Sequence, residues 1–260
     1  MTELKDAMNN AGGGGSATPF YLAGLTEKTI EAIAKESSAS EVLNALASHK
    51  SFIVRAKVAG NRNTPVATLS ILATDEQDSV RMCVGGNEHT PVAILVSLST
   101  DKEPDVRASV GGNPQCPAET LAILAEDEDD RAIINVRHGV AQNPNCPPDI
   151  LEAFSKSESG MLRLYIATNP NCPAEIFAVL AQDEIREVRQ EVAKNPHCPA
   201  ETLDSLKTDA EILVRVNVAQ NPNISADTRA YLGQDAAVTS FLSHLNRMTN
   251  KPDAYPYQFD

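Results

Sequence analysis

The sequence predicts an all-α fold, an α-solenoid of seven repeats of about 26 residues each, and three regularities predict it. Arg55, Arg81, Arg107, Arg137, Arg163, Arg189 and Arg215 step along the chain by 26, 26, 30, 26, 26 and 26 residues. Six residues after each comes Asn61, Asn87, Asn113, Asn143, Asn169, Asn195 or Asn221. Before each Arg stands Val or Leu, and three residues after it a β-branched residue followed by Ala or Gly. A fixed period in this range is the signature of one supersecondary unit repeated side by side, each burying its apolar face against the next.

The elements follow in order when each copy is numbered from its Val or Leu (Val54, Val80, Val106, Val136, Leu162, Val188, Val214) as position zero. Positions zero, one, four and five lie at about 0°, 100°, 40° and 140° on a helix, so they form one buried arc. A short helix is expected there, ended at position seven by Asn, which tolerates left-handed backbone and bonds its neighbours. A break such as Asn143-Pro144-Asn145-Cys146-Pro147 follows, with Pro147, Pro173 and Pro199 placed in the first turn of a second helix. Glu119, Glu175 and Glu201 then sit near its positive end, and Leu69/Leu72, Leu121/Leu124 and Leu203/Leu206 give it an apolar face. Each unit reads as a short helix, a Pro turn and a longer helix. The expected organisation is an N-terminal segment 1–27 with a Gly-rich linker at 11–16, a capping repeat 28–53, the solenoid 54–239, and a closing helix and tail 240–260.

Composition excludes several classes of function. The net charge is −13 and there is no Trp, which disfavours a nucleic-acid or anionic-membrane partner. The first residues contain no apolar signal-type run and no stretch reaches the length of a membrane span. Five cysteines without disulfide-framework spacing fit a reducing, cytoplasmic setting.

The run Val140-Ala-Gln-Asn-Pro-Asn-Cys-Pro147, with Leu-Ala and Asp preceding Val-Arg between units, resembles the leucine-rich repeat variant family over roughly residues 54–235. The resemblance implies a right-handed superhelix of alternating α and 3-10 helices, so the short helix is expected to be one or the other. It implies no single activity. HEAT-type repeats share the Asp and Val-Arg element and are the nearest alternative.

Chemistry-bearing columns read mostly as structure. The arginines lie within the apolar arc and must be paired when buried; Asp75, Asp101, Asp127, Asp183, Asp209 and Asp235 recur at position 21 to pair them. Ser157 interrupts that column, which leaves Arg137 or Arg163 as the expected exception. Cys116, Cys146, Cys172 and Cys198 share position ten, one per unit, and helices stacked about 8–10 Å apart cannot bring such a column onto one ion. The acidic stretch 126–131 carries the four-residue insertion and lacks the alternation of a calcium loop. No nucleophile–base set or phosphate-binding Gly loop stands out, so no enzyme, cofactor or metal is expected.

Positions two, three and six face away from the buried arc and vary between copies, so the binding surface is placed there. Its candidate residues are Met82, Cys83, Gly86, Ser109, Gly112, His138, Gln142, Leu164, Tyr165, Gln190 and Lys194. The expected function is a non-enzymatic scaffold or adaptor holding a protein or peptide partner on its short-helix face. The alternatives are a nucleic-acid-acting HEAT-like solenoid using Arg137, Arg163, Arg189 and Lys194, and a structural protein that self-assembles through its ends at Tyr231, Phe241 and Leu242. The oligomeric state is left open.

Overall fold

The computed structural model describes residue 22 and residues 24–127 and 136–249. The Gly-rich stretch 11–16, most of the acidic insertion and the tail from 250 onward lie outside the described residues. Among the described residues the chain forms seventeen α-helices and no strand. It divides into two compact units, 1–147 and 148–260.

The first unit holds α1 (Glu27–Glu36), α2 (Ser40–Leu46), α3 (Phe52–Ala59), α4 (Val66–Leu72), α5 (Asp78–Gly86), α6 (Val92–Leu98), α7 (Pro104–Gly111), α8 (Ala118–Ala125) and α9 (Val136–Gln142). α3, α5, α7 and α9 carry the Val-Arg element and stack in succession from α1; α4, α6 and α8 each follow a Pro turn and pack against their odd neighbours. The second unit continues the alternation with α10 (Pro148–Ser155), α11 (Gly160–Thr168), α12 (Ala174–Leu180), α13 (Arg186–Lys194), α14 (Ala200–Leu206), α15 (Ile212–Gln220), α16 (Ala226–Leu232) and the long α17 (Ala236–Thr249), which packs on α15.

Both helices of the unit are α-helical, which resolves the α or 3-10 question. Their lengths are nearly equal, about two turns each, rather than short and then long: α5, α11, α13 and α15 have 9 residues and α4, α6, α12 and α14 have 7. The Pro residues stand one place earlier than expected. Pro65, Pro91, Pro117, Pro173 and Pro199 are the N-cap residues, with extended backbone, and helix begins at the next residue. Their missing N–H is one that a helix start leaves unpaired in any case.

The predicted buried arc is the core. Positions zero and four are essentially inaccessible in every unit, and the Leu pairs of the second helices pack against them. Such two-turn helices have little stability alone, so this burial holds them.

The Asn column works differently from the expectation. Among the described residues no non-Gly residue has positive φ, and Asn87, Asn169, Asn195 and Asn221 close their helices in extended conformation. The side-chain amide instead reaches into the preceding unit. Asn87 Nδ2 donates to the carbonyls of Ala59 (2.7 Å) and Asn61 (3.0 Å), while its Oδ1 accepts from the His89 N–H (2.9 Å). Asn113, Asn143, Asn195 and Asn221 repeat this bonding with the units before them. Asn61 makes the same connection to α1 and its end, through Ala34 and Ser37 carbonyls at 2.9 Å each. These buried amides satisfy the carbonyls that a helix C-terminus leaves open.

Candidate functional site

The arginine column is a structural ladder in both units. Arg81 Nε and Nη2 donate to Asp101 at 2.6 and 2.9 Å, a two-point fork, and Nη1 donates to the Asp75 carbonyl at 2.8 Å. Asp75 is itself held by Arg55 at 2.6 and 2.9 Å, so each rung ties to the next. Arg107 with Asp127, Arg163 with Asp183, Arg189 with Asp209, and Arg215 with Asp235 repeat the pairing. Asp75, Asp101, Asp183, Asp209 and Asp235 also cap the following turn, as Asp75 Oδ1 accepts from Gln77 N–H and Asp183 Oδ1 from Ile185 N–H. Burial by itself would raise the Asp75, Asp101, Asp183 and Asp209 carboxyls, but the Arg hydrogen bond, the backbone N–H and the nearby positive charges outweigh it and hold them below the usual range.

This corrects the expectation at Arg163, which is fully engaged by Asp183 and by the Ser157 carbonyl at 2.6 Å. Arg137, whose column partner is Ser157 in sequence, donates from Nε to the Ala125 carbonyl at 3.0 Å. Of the cations offered for nucleic acid, Arg189 is likewise committed to Asp209, and Lys194 pairs with Glu191 at 2.6 Å.

The position-ten cysteines are buried at the Pro turn, each Sγ beside the carbonyl of the following Pro at 3.7–3.9 Å. Burial pushes the thiol up to about 11 at Cys116 and about 12 at Cys172 and Cys198. Cys116, Cys172 and Cys198 are therefore protonated, weakly reactive groups. Among the described residues, no group of three or more His, Cys, Asp or Glu residues is gathered as metal ligands would be. Also among the described residues, no helix is long and apolar enough to cross a membrane.

The expected binding stripe is narrower than a helical wheel suggests. Gly86, Gly112, Gln142 and Lys194, all at position six, are exposed. Met82, Cys83, Ser109, His138, Leu164, Tyr165 and Gln190, at positions two and three, are half-buried, and Ala108, Gly139 and Val216 on the same positions are buried. Within the first unit α5 and α7 each have an odd-numbered helix before and after them, so only the arc nearest position six stays open there. Burial also lowers the pKa of His138, favouring neutral imidazole, and raises that of Cys83 against the effect of Lys57.

Within the first unit this face contains a depression of about 310 Å³ across α5, α7 and α9, lined by Met82, Asp105, Ala108, Ser109, Gly112, Gly139 and Gln142. Close helix approach forms its floor. A Cβ added at Gly139 would stand 2.5 Å from the Ala108 carbonyl oxygen and 3.0 Å from Gly112 N. Gly85 and Gly111 bring α5 to α7 and α7 to α9 in the same way, each leaving 3.2 Å between an added Cβ and a Val methyl on the next helix. Four of the sequence-predicted residues, Met82, Ser109, Gly112 and Gln142, therefore meet at one place; Leu164, Tyr165, Gln190 and Lys194 belong to the second unit. Asp105, Ala108 and Gly139 were not among the candidates. Gly139 had a signal, a glycine at position three where other copies carry Lys57, Tyr165 or Glu191.

The second unit has a depression of its own, about 450 Å³, on the opposite class of helix, where Pro148, Asp149 and Glu152 of α10, with Lys156 just after it, face Glu175, Ile176 and Val179 of α12. Sequence reading assigned no role to the second helices.

A family profile described as "Leucine rich repeat variant" matches residues 104–129, one full period beginning at α7. No curated protein matches. The fold is similar to a solved structure described as a leucine-rich repeat variant with a novel repetitive protein structural motif, at a TM-score of 0.52 and 23% identity, over 82% of this chain and 88% of that one. The matched period recurs in register from Val54 onward on the same pair of helices, so one repeat of this chain is similar to the leucine-rich repeat variant profile and its all-α repeat fold is similar to that solved structure.

Proposed function

We propose that this chain is a non-catalytic binding scaffold that holds an extended protein or peptide segment on the odd-helix face of its first unit. The observation that carries the reading is the depression across α5, α7 and α9. Its floor is backbone and small side chains, Ala108, Ser109, Gly112 and Gly139, so a ligand's main chain can approach closely. Met82 supplies an adaptable apolar wall, Gln142 an amide that can bond a peptide group, and Asp105 the carboxylate at the rim. Packing of the three helices fixes the groove in advance, which lowers the ordering cost of binding. A reducing, cytoplasmic setting belongs to the same reading and accords with five free cysteines.

Peptides selected from a random display library on the intact protein test this. Met82→Asp at a half-buried position of the groove wall and Gly112→Phe at an exposed one are expected to keep the circular-dichroism spectrum and to weaken the selected peptides at least tenfold. Selected peptides that bind both variants as tightly as the parent would place the ligand elsewhere.

A further inference from the structure

The even-numbered helices of the first unit present an outward face whose composition is unlike the rest of this acidic surface. On α4, Val66, Ala67, Ser70 and Ile71 are exposed; on α6, Val92, Ala93, Val96 and Ser97; on α8, Ala118, Ala122 and Ile123. Val66 is 55% accessible, Ile71 66%, Val92 and Val96 47% each, and Ile123 63%. Glu119 is the single charged residue interleaved among them, in a chain that is 22% charged. The matching positions in the second unit carry Asp149, Glu152, Glu175, Glu201, Asp204 and Asp227. The core has no need of the apolar residues, since Leu69, Leu72, Leu95, Leu98, Leu121 and Leu124 already fill the inward side of the same helices.

We infer that this face of α4, α6 and α8 is a self-association surface, and that its occupant is the same face of a second copy of the chain. Two observations select that occupant. First, the extent fits: five large apolar side chains, each 47–66% accessible, recur on three successive helices with only small uncharged residues and Glu119 between them, where an ordinary monomer scatters such residues singly and a stable association needs them gathered. Second, the charge distribution fits: two copies each of net charge −13 repel wherever their acidic surfaces meet, and this face is where that repulsion is least. The pattern is also self-complementary, as an isologous contact requires. With helices antiparallel across a two-fold axis, the row Val66, Val92, Ala118 meets the partner's row Ile71, Ser97, Ile123. Val92 then falls on small Ser97 and small Ala118 on Ile123, while Val66 and Ile71 meet as two branched apolar side chains. The depression proposed for peptide binding lies on the odd helices and stays open in such a dimer.

Sedimentation equilibrium of the full chain from about 1 to 100 µM tests the assignment. The parent is expected to show twice the chain mass at the upper end and to dissociate on dilution. Val96→Glu with Ile123→Glu, two exposed positions, is expected to give the monomer mass throughout with unchanged circular dichroism. Val179→Glu on the second unit and Met82→Asp are expected to leave the mass at twice the monomer. A parent that is monomeric at 100 µM, or a dimer that survives the double variant, would overturn the inference. Should the double variant lose its helical spectrum, Ser97→Lys, which adds charge at a small exposed site, decides in the same way.

Discussion

The two units use the same internal frame and opposite surfaces. In the first, Gly85, Gly111 and Gly139 draw the odd helices together and leave a smooth groove, while α4, α6 and α8 show an uncharged outer face. In the second, the equivalents of Gly139 are Tyr165 and Glu191, and the outer face of α10, α12 and α14 carries carboxylates. The Arg–Asp fork has the same form on both sides, 2.6 Å at Arg81–Asp101 and 2.6 Å at Arg189–Asp209. The comparison teaches that the ladders specify the fold and leave the outward positions free to diverge.

The sharpest way to break that comparison is acid, because it acts on every rung. The carboxyls of Asp75, Asp101, Asp183 and Asp209 have folded pKa values below their unfolded ones, so their contribution to stability is complete above an unfolded pKa of about 3.9 and is lost as pH falls through the folded values. The melting temperature is expected to fall steeply below about pH 4, in both units together. Thermal scans from pH 7 to pH 2, with hydrogen exchange resolved by segment, check this; one unit outlasting the other would mean that the ladders are not equivalent.

Removing one rung comes next. Arg81→Met leaves Asp101 buried without its partner and should cost about 3–5 kcal/mol in urea unfolding, and Arg189→Met should cost a similar amount through Asp209. A large disparity between the two would show that one unit relies on other contacts.

A smaller effect separates the units. Gly139→Val forces α9 away from the Ala108 carbonyl and should cost about 1–3 kcal/mol, whereas Tyr165→Val, at the same position in the second unit, removes a half-buried side chain and should cost less. Equal losses would contradict the close approach proposed as the floor of the groove. The smallest effect is chemical. A mild thiol reagent should modify half-buried Cys83 first and leave Cys116, Cys146, Cys172 and Cys198 until the chain unfolds.

Much of this frame is legible in the sequence because a core column repeats itself. Val54 through Val214 and Val58 through Val218 announce their burial seven times, and a carboxylate recurring 20 residues after each buried Arg, except at Ser157, announces its partner. The role of Asn87 is not legible in this way. Its partners are the carbonyls of Ala59 and Asn61, and a backbone oxygen has no letter of its own, so the residue reads as a helix terminator. Met82 reads as open surface because a helical wheel places a single neighbour beside the helix, whereas α5 packs between α3 and α7. Gly139 shows how a groove floor depends on what is absent from a side chain. The uncharged face at Val92, Val96 and Ile123 was visible as a column without charge, but apolar residues on a two-turn helix are readily assigned to the core.

The central functional claim is that the groove of the first unit, and not the equivalent surface of the second, receives the ligand. A photo-cross-linking residue placed at Gly112 and, separately, at Thr168 tests it most directly, since both are exposed at position six of their units. The account predicts a discrete adduct with a selected peptide from position 112, abolished by adding Met82→Asp, and none from position 168. An adduct from 168 alone, or one from 112 that persists with Met82→Asp, would contradict it.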